Sequence, residues 1–356
     1  MKIVSIISQK SGGGAEKLAE MLHLFYLEQG YSSELFFFQA NENKLNDGET
    51  VLSGSIRSLM NIYYIRKEIK KRMKVSKGRM VIHAHLTWPF FYTVLATIGL
   101  ERVELIYTEH STYNRRRVIR FLRYIEYFFY SRYKRIICIS EGTKDSLLNW
   151  CPWIRDDSIN VIYNGINLPG CIERKINPDD LKVVSVGSLT NRKNFIAAVK
   201  ALALIKDSFK TYEIIGEGPL RAELLREIQE QGLSDKVFLR GWQDDIYRFY
   251  KKSDLMLIPS KWEGFGLVAI EAMATGLPVV ASKVDGLSEV LKCCSSAFFV
   301  DDPNCRKEWV SQIQLALNTL RGKNPQYLWG NSRKHAELFQ FNTMANNYLK
   351  QYKQHE

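Results

Sequence analysis

Two glutamates, Glu263 and Glu271, stand eight positions apart in the stretch KWEGFGLVAIEA. Gly264, Phe265, Gly266 and Leu267 follow the first of them directly. A helix opening inside GFGLVAIEA would place Glu263 at its entrance and Glu271 about two turns inside. At ~1.5 Å rise per residue the two would lie ~10–12 Å apart. That spacing suits two ends of an elongated polyhydroxyl ligand better than one carboxyl pair sharing a proton. Carboxylates accept hydrogen bonds from vicinal diols, as in sugars and ribose. The N–H groups of residues 264–267, at the start of the helix, would hold a phosphate or hydroxyls between those ends.

A second group is cationic. Arg192 and Lys193 sit in VGSLTNRKNF, in the loop that should open a helix. Two cations beside unpaired N–H groups make a diphosphate site: Arg binds two oxygens at once and Lys is a mobile point charge. The plainer alternative is an exposed basic loop. In SQKSGGGAEK, Gly12, Gly13 and Gly14 follow an apolar run. They either form an anion site at a helix start or a plain tight turn, with Glu16 a surface acid favoured by the helix dipole. Lys17 stands where a dinucleotide fingerprint needs glycine, and Leu18 breaks a P-loop. His83, His85 and His110 each fall near the end of an expected strand. A lone histidine is most often a satisfied structural residue. His110 is the functional candidate because Glu109 and Ser111 flank it in an expected loop. In IIGEGPLR, Gly216, Glu217 and Gly218 follow a strand and Pro219 suits a first helical position. Gly241 and Trp242 follow the next strand, where amides could read a base edge and the indole could stack.

Nearly all these residues come directly after apolar runs. KIVSIIS, SELFFF, RMVIHAH, VELIYTEH, RIICIS and INVIYNG read as strands in the first half. LKVVSVGSL, TYEIIGEG, KVFLRG, DLMLIPS, LPVVAS and SAFFV repeat the rhythm in the second. Helical patterns lie between them, among them residues 15–29, 55–73, 88–97, 118–131, 195–205 and 220–231. Apolar strands alternating with helices signal parallel sheets covered on both faces. The expected fold is α/β, two Rossmann-like doubly wound domains. They should span 1–168 and 181–330, with a charged, proline-containing linker at 169–180 and a helical tail at 331–356 that packs back on the first domain. In such sheets ligands collect at the carboxyl ends of strands.

A chain of 356 residues with 46% apolar and 25% charged residues can bury two full cores without staples. Its six cysteines form no C-x-x-C and have no histidine at ligand spacing, so neither zinc nor disulfides are expected. The N-terminal apolar run is short and reads as a first strand, not a signal sequence, and no run reaches the ~20 residues that span a bilayer. A cytoplasmic protein is expected. Residues 1–168 hold 24 bases against 16 acids, +8 of the total +12. Two clusters carry the excess, at 57–79 and 115–135. These are either solvated helix faces or a surface for an anionic membrane or an anionic acceptor. Nucleic acid is not expected, because no reading motif is present.

Taken in order, GGGAE, CISEGTKDSL, VIYNGI, VGSLTNRKN, GEGPLR and the E-x7-E block resemble the retaining nucleotide-sugar glycosyltransferases of glycosyltransferase family 4. The resemblance covers nearly the whole chain. It implies a GT-B fold, two Rossmann-like domains facing across a cleft, and transfer of a sugar from a nucleotide diphosphate sugar without metal or cofactor. By the same resemblance Glu263 would contact the donor sugar and Glu271 the ribose. Gly264, Phe265, Gly266 and Leu267 would lie against the sugar and diphosphate. Arg192 and Lys193 would neutralise the leaving group, and His110 would approach the donor sugar. Gly187 and Gly218 would line the donor, with Gly13 and Gly14 towards the phosphate and acceptor side. The family's frequent arginine after the strand-ending glycine is replaced here by Ser188. The implied acceptor is a glycan or lipid-linked glycan of bacterial surface polysaccharide. The segment NRRRVIRFLRYIEYFFYSRYKR would lie on an anionic membrane, or its NRRR would touch acceptor phosphates. A nucleotide-sugar epimerase and a non-catalytic sugar-nucleotide or membrane binder are the alternatives.

Overall fold

A computed structural model describes all residues except 11–12, 41–44, 77, 113, 171, 323 and 354–356, and describes 115 and 116 in the backbone only. Gly12 and Cys171 therefore lie outside the described residues. The chain divides into two compact units, Met1–Tyr163 with Ala345–Glu356, and Asn164–Met344.

The first unit carries β1 (Lys2–Lys10), β2 (Ser32–Ala40), β3 (Glu49–Val51), β4 (Met80–His85), β5 (Val103–Glu109), β6 (Arg135–Cys138) and β7 (Ile159–Val161). They form one sheet in the order β3-β2-β1-β4-β5-β6-β7, every described pair parallel. Helices α1 (Gly14–Glu28), α2 (Met60–Val75), α3 (Thr87–Thr97), α4 (Leu122–Tyr130) and α5 (Glu141–Trp150) make the crossovers. β4 is buried at every position, as a strand covered on both faces must be. Ile6, Phe36, Ile82, Phe90 and Tyr107 lie in the main core of this unit. β3 was not anticipated. Its three residues, ETV, are half-buried and too short for a period to show.

The second unit carries β8 (Lys182–Val186), β9 (Thr211–Ile215), β10 (Val237–Gly241), β11 (Leu255–Ile258), β12 (Val279–Ser282) and β13 (Ala297–Val300). Their order is β10-β9-β8-β11-β12-β13, again all parallel. Its helices are α6 (Phe195–Leu202), α7 (Arg221–Glu230), α8 (Tyr247–Lys252), α9 (Leu267–Ala274), α10 (Leu287–Val290), α11 (Arg306–Arg321) and α12 (Pro325–Ala336). The last helix, α13 (Phe341–Lys353), begins in this unit and ends in the first. Trp309, Tyr212 and Leu257 lie in the second core. Both sheets reverse strand order beside their first strand, at β1/β4 and at β8/β11. Such switch points open a crevice outside the strand ends.

The contacts draw the units at other residues than composition suggested. The stretch 169–180 belongs to the second unit. Arg174 donates to the carbonyls of Tyr250 (2.7 Å), Ser253 (2.6 Å) and Thr275 (2.6 Å), at the C-terminal ends of α8 and α9. A cation there satisfies carbonyls that the helices leave unpaired. The tail also divides. α12 packs on α9 and stays with the second unit, and only residues from Ala345 join the first.

Candidate active site

At the β8/β11 switch point of the second unit, two loops meet. The β8–α6 loop supplies Arg192 and Lys193, and the β11–α9 loop supplies Glu263. The Lys261 N–H donates to the Arg192 carbonyl at 2.8 Å, tying the loops together. Arg192 Nη1 donates to Glu263 Oε2 at 2.7 Å, and Lys193 Nζ to Glu263 Oε1 at 2.5 Å. Ser260 Oγ also donates to Oε1, at 2.7 Å. Glu263 and Lys193 are buried and Arg192 is about one-third exposed, 36% at the side chain. Burial pushes the Glu263 carboxyl up. The charges of Lys193 and Arg192, with the hydrogen bonds from Lys193 and Ser260, outweigh it and hold the group below its ordinary value. The cluster is an ionised carboxylate under two cations, with one positive charge in excess.

Glycines make this packing feasible. Gly187, with φ +155°, leaves room for the Lys193 side chain; a Cβ there would come within 2.9 Å of Lys193 Cε. Gly286, with φ +82°, brings the β12–α10 turn against the Glu263–Phe265 backbone. Its Cβ would stand 2.7 Å from the Glu263 carbonyl oxygen and 2.9 Å from the Phe265 nitrogen. Gly218 abuts Leu189 of the β8–α6 loop in the same manner.

α9 starts at Leu267, and its cap, Gly266, is in the left-handed region at φ +92° and has no side chain to bond the helix's first amides. Gly264 is half-buried, Phe265 and Gly266 are buried, and Leu267 is half-buried. Glu271 sits on the second turn of α9 and is half-buried. Burial and then the Glu271 charge push the Tyr247 and Tyr250 hydroxyls up, so Glu271 lies close to α8. Trp242, 68% exposed, follows β10 and donates to Asp244 at 3.2 Å.

The first unit holds the remaining expected residues. Gly13 caps α1, and its N–H donates to Glu16 Oε2 at 3.1 Å. The tight-turn alternative made Glu16 a surface acid, yet it is buried, because it folds back over the end of its own helix. The chain's own carboxylate thus occupies the α1 N-terminus beside Gly13 and Gly14. His83 and His85 point to one face of β4, two positions apart. Their rings lie 3.9 Å apart at the centroids. His85 Nδ1 is 3.2 Å from His110 Nε2. Glu109, expected in a loop beside His110, ends β5 and is buried. It accepts from Arg117 at 2.8 Å and from Tyr130 at 3.0 Å. Arg117 also donates to Ser146 at 3.0 Å, so of the NRRR segment this arginine is a structural tie, not one offered to an acceptor.

α4 has two faces. Glu126, which accepts from Trp150 at 2.8 Å, and Tyr130 point inward. Phe121, Tyr124, Ile125 and Phe128 point outward and are exposed, with Val118 and Ile119 just before them. Arg123 lies over the rings of Tyr124 and Trp153, and Arg132 over Phe128. Among the described residues no helix is long and apolar enough to cross a membrane.

Sequence reasoning missed Ser260 and Gly286. The D-G dipeptide at 285–286 is a turn signal that pointed to the second; Ser260 had no signal beyond its closeness to Glu263.

Two parallel-sheet α/β units with the site at a switch point define a GT-B fold. The Glycosyltransferase Family 4 model matches residues 12–169, and the Glycosyl transferases group 1 model matches residues 172–334. The chain belongs to the glycosyltransferases that these two models jointly describe. It is similar to the Escherichia coli UDP-Gal:alpha-D-GlcNAc-diphosphoundecaprenol alpha-1,3-galactosyltransferase, 30% identical over 198 residues, 50% of each chain. It is also similar to the O-antigen chain mannosyltransferase of Salmonella typhimurium, 29% identical over 196 residues and 54% of each. The chain spans about half the length of the curated relatives it matches. Among solved structures, an Anabaena protein in complex with UDP and glucose superposes with TM-score 0.81 at 18% identity. The match covers 99% of this chain and 100% of that one.

Proposed function

We propose that this chain is a retaining, metal-independent glycosyltransferase. It moves a sugar from a UDP- or GDP-sugar to a glycan or lipid-linked glycan in bacterial surface polysaccharide assembly. The observation that carries the reading is the cluster of Arg192, Lys193 and Glu263 at the β8/β11 switch point. When the bond from the anomeric carbon to the diphosphate breaks, negative charge grows on the leaving oxygens. Arg192, Lys193 and the amides at the start of α9 meet that charge. The two cations supply the positive charge that a metal ion supplies elsewhere.

Glu263 is held ionised and hydrogen-bonded, which suits acceptance of sugar hydroxyls better than proton donation. Glu271 takes the ribose, and Gly187, Gly218 and residues 264–267 line the donor. His110, Gly13 and Gly14 serve the sugar and acceptor side. The names of the similar galactosyltransferase and mannosyltransferase support a lipid-linked or O-antigen acceptor. The outward face of α4 supports work at an anionic membrane, which the reading takes as the cytoplasmic face of the cell membrane.

A thermal-shift panel of UDP-, GDP- and ADP-sugars identifies the donor. A ligand at a hundredfold excess over Kd stabilises by about 2.7 kcal/mol. Transfer of the labelled sugar with its anomeric configuration kept, undiminished by EDTA, is the expected result. Inversion at the anomeric carbon, or an epimerised donor with no transfer, would overturn the reading.

A further inference from the structure

We propose that His85 fixes the ring orientation and the tautomer of His110, donating its Nδ1–H to His110 Nε2 so that His110 offers its single N–H, at Nδ1, to a bound ligand. This rests on the placement of His110 at the sugar and acceptor side.

Hydrogen bonding determines the protons step by step. Tyr26 donates its hydroxyl to Tyr352 at 3.1 Å. The Tyr352 hydroxyl therefore spends its own proton on His83 Nδ1, 2.6 Å away. His83 then carries its proton on Nε2 and donates to Thr108 Oγ1 at 2.7 Å. Both nitrogens of His83 are engaged, and its ring lies against that of His85. His85 is fully buried, with one nitrogen facing His110 and the other, Nε2, without a hydrogen-bond partner among the described residues. Two arrangements fit the 3.2 Å contact between His85 Nδ1 and His110 Nε2. If His110 donated, His85 would hold its proton on the orphaned Nε2 as a buried, unpaired N–H. If His85 donates, that nitrogen holds only a lone pair. Orphaned buried N–H groups are the rarer of the two in folded proteins, so the second arrangement wins.

Burial pushes both rings well down, His110 to about 4, so neither is charged at neutral pH. β4 and β5 pair with His85 opposite Thr108, and His110 follows two residues later, which brings its ring over His85.

The test uses the full chain with 15N-labelled histidine, His110 being assigned by its loss in His110→Gln. The expected spectrum shows a protonated Nδ1 and a bare Nε2 at neutral pH. His85→Phe removes the donor and should move His110 towards the Nε2–H form. His85→Asn keeps an N–H near the place of Nδ1 and should restore the wild-type spectrum. With UDP-glucose as the probe donor, His85→Phe should lower kcat about tenfold with KM little changed, and His85→Asn should recover most of it. A protonated Nε2 in the wild type overturns the inference. So does an unaltered His110 spectrum in a folded His85→Phe protein. A moved tautomer with full turnover upholds the positioning by His85 and removes His110 from the proposed reaction, so the two readings fail separately.

Discussion

Lys193 Nζ lies 2.5 Å from Glu263 Oε1, and both side chains are buried, at 9% and 7% exposure. The lysine proposed to meet the diphosphate is thus also the main counter-charge of the carboxylate proposed to hold the sugar. Removing it does two things. Lys193→Met takes from the buried carboxylate its closest cation and leaves Arg192 and Ser260 among its partners. Losing one partner of a buried pair costs about 3–5 kcal/mol, and less here because Arg192 remains. The expected outcome is a lower melting temperature together with a turnover loss of about a hundredfold, one oxyanion donor's worth. The double variant Lys193→Met/Glu263→Gln neutralises both charges and should recover the melting temperature without recovering turnover. If the double variant melts as low as the single one, the pair does not hold the loops together.

Acid should weaken the fold from an unusually high pH. His83 is pushed down to about 3 by burial and by the His110 charge, and His110 to about 4 by burial against the opposing pull of Glu109. Both are neutral in the folded chain, while the unfolded chain takes up protons below about 6.5. Their contribution is fully present above that value and is lost as pH falls towards 4 and 3. Each such group costs about 1.4 kcal/mol per pH unit within its window. Glu263, with its folded value depressed, adds a loss only below about 4.5, its ordinary value. Urea unfolding at pH 7, 6 and 5 should therefore show falling stability above the range in which Glu263 contributes, and His83→Gln should flatten the fall. Constant stability from pH 7 to 5 would contradict neutral burial of these rings.

The sheets were legible because their strands are continuous apolar runs, and a parallel strand buried on both faces leaves no other pattern. DLMLIPS and LPVVAS became β11 and β12 for that reason. The glycines of GFG likewise marked the start of α9. β3 escaped because three residues carry no period, and the 169–180 stretch joins the second unit, although Glu173, Lys175 and Asp179 are exposed, because one of its charges turns inward. Arg174 is drawn in by carbonyls from two helices distant in sequence, which composition does not reveal. The same holds at the site. Arg192, Lys193 and Glu263 were each legible as candidates, but their mutual pairing across 70 residues was not. His83 and His85 shared one expected strand end, and His110 stood at another. Only the β4–β5 register, His85 opposite Thr108, brings them into one stack.

Gly286→Ala tests a contact that no charge reports. A methyl group there would stand 2.7 Å from the Glu263 carbonyl oxygen, against backbone that does not yield as a flexible side chain does. The positive φ adds strain of about 1–2 kcal/mol for an L-residue. The displaced segment is the one whose amides are proposed to line the donor. We expect a modest fall in melting temperature and a KM for the donor raised about tenfold or more, since small displacements of positioning groups are costly. An unchanged KM in a destabilised protein would show that the β12–α10 turn supports the fold without shaping the donor loop.

The outward face of α4 makes the remaining prediction. Phe121 is 62% exposed and Phe128 46%, with Arg123 and Arg132 stacked over neighbouring rings of the same surface. Inward residues of α4 hold the fold, so changes on the outer face should leave stability within about 0.5 kcal/mol. On an anionic bilayer the two phenylalanines would bury apolar area at about 25 cal/mol per Å², while the arginines supply a salt-sensitive attraction. Phe121→Ser/Phe128→Ser should weaken binding to phosphatidylglycerol-containing vesicles roughly tenfold with the melting temperature unchanged. Arg123→Gln/Arg132→Gln should abolish most of the salt dependence. Co-sedimentation at low and physiological salt reads both effects. Equal binding of wild type and both variants would mean that this face meets water, and that a lipid-linked acceptor must reach the chain by another surface.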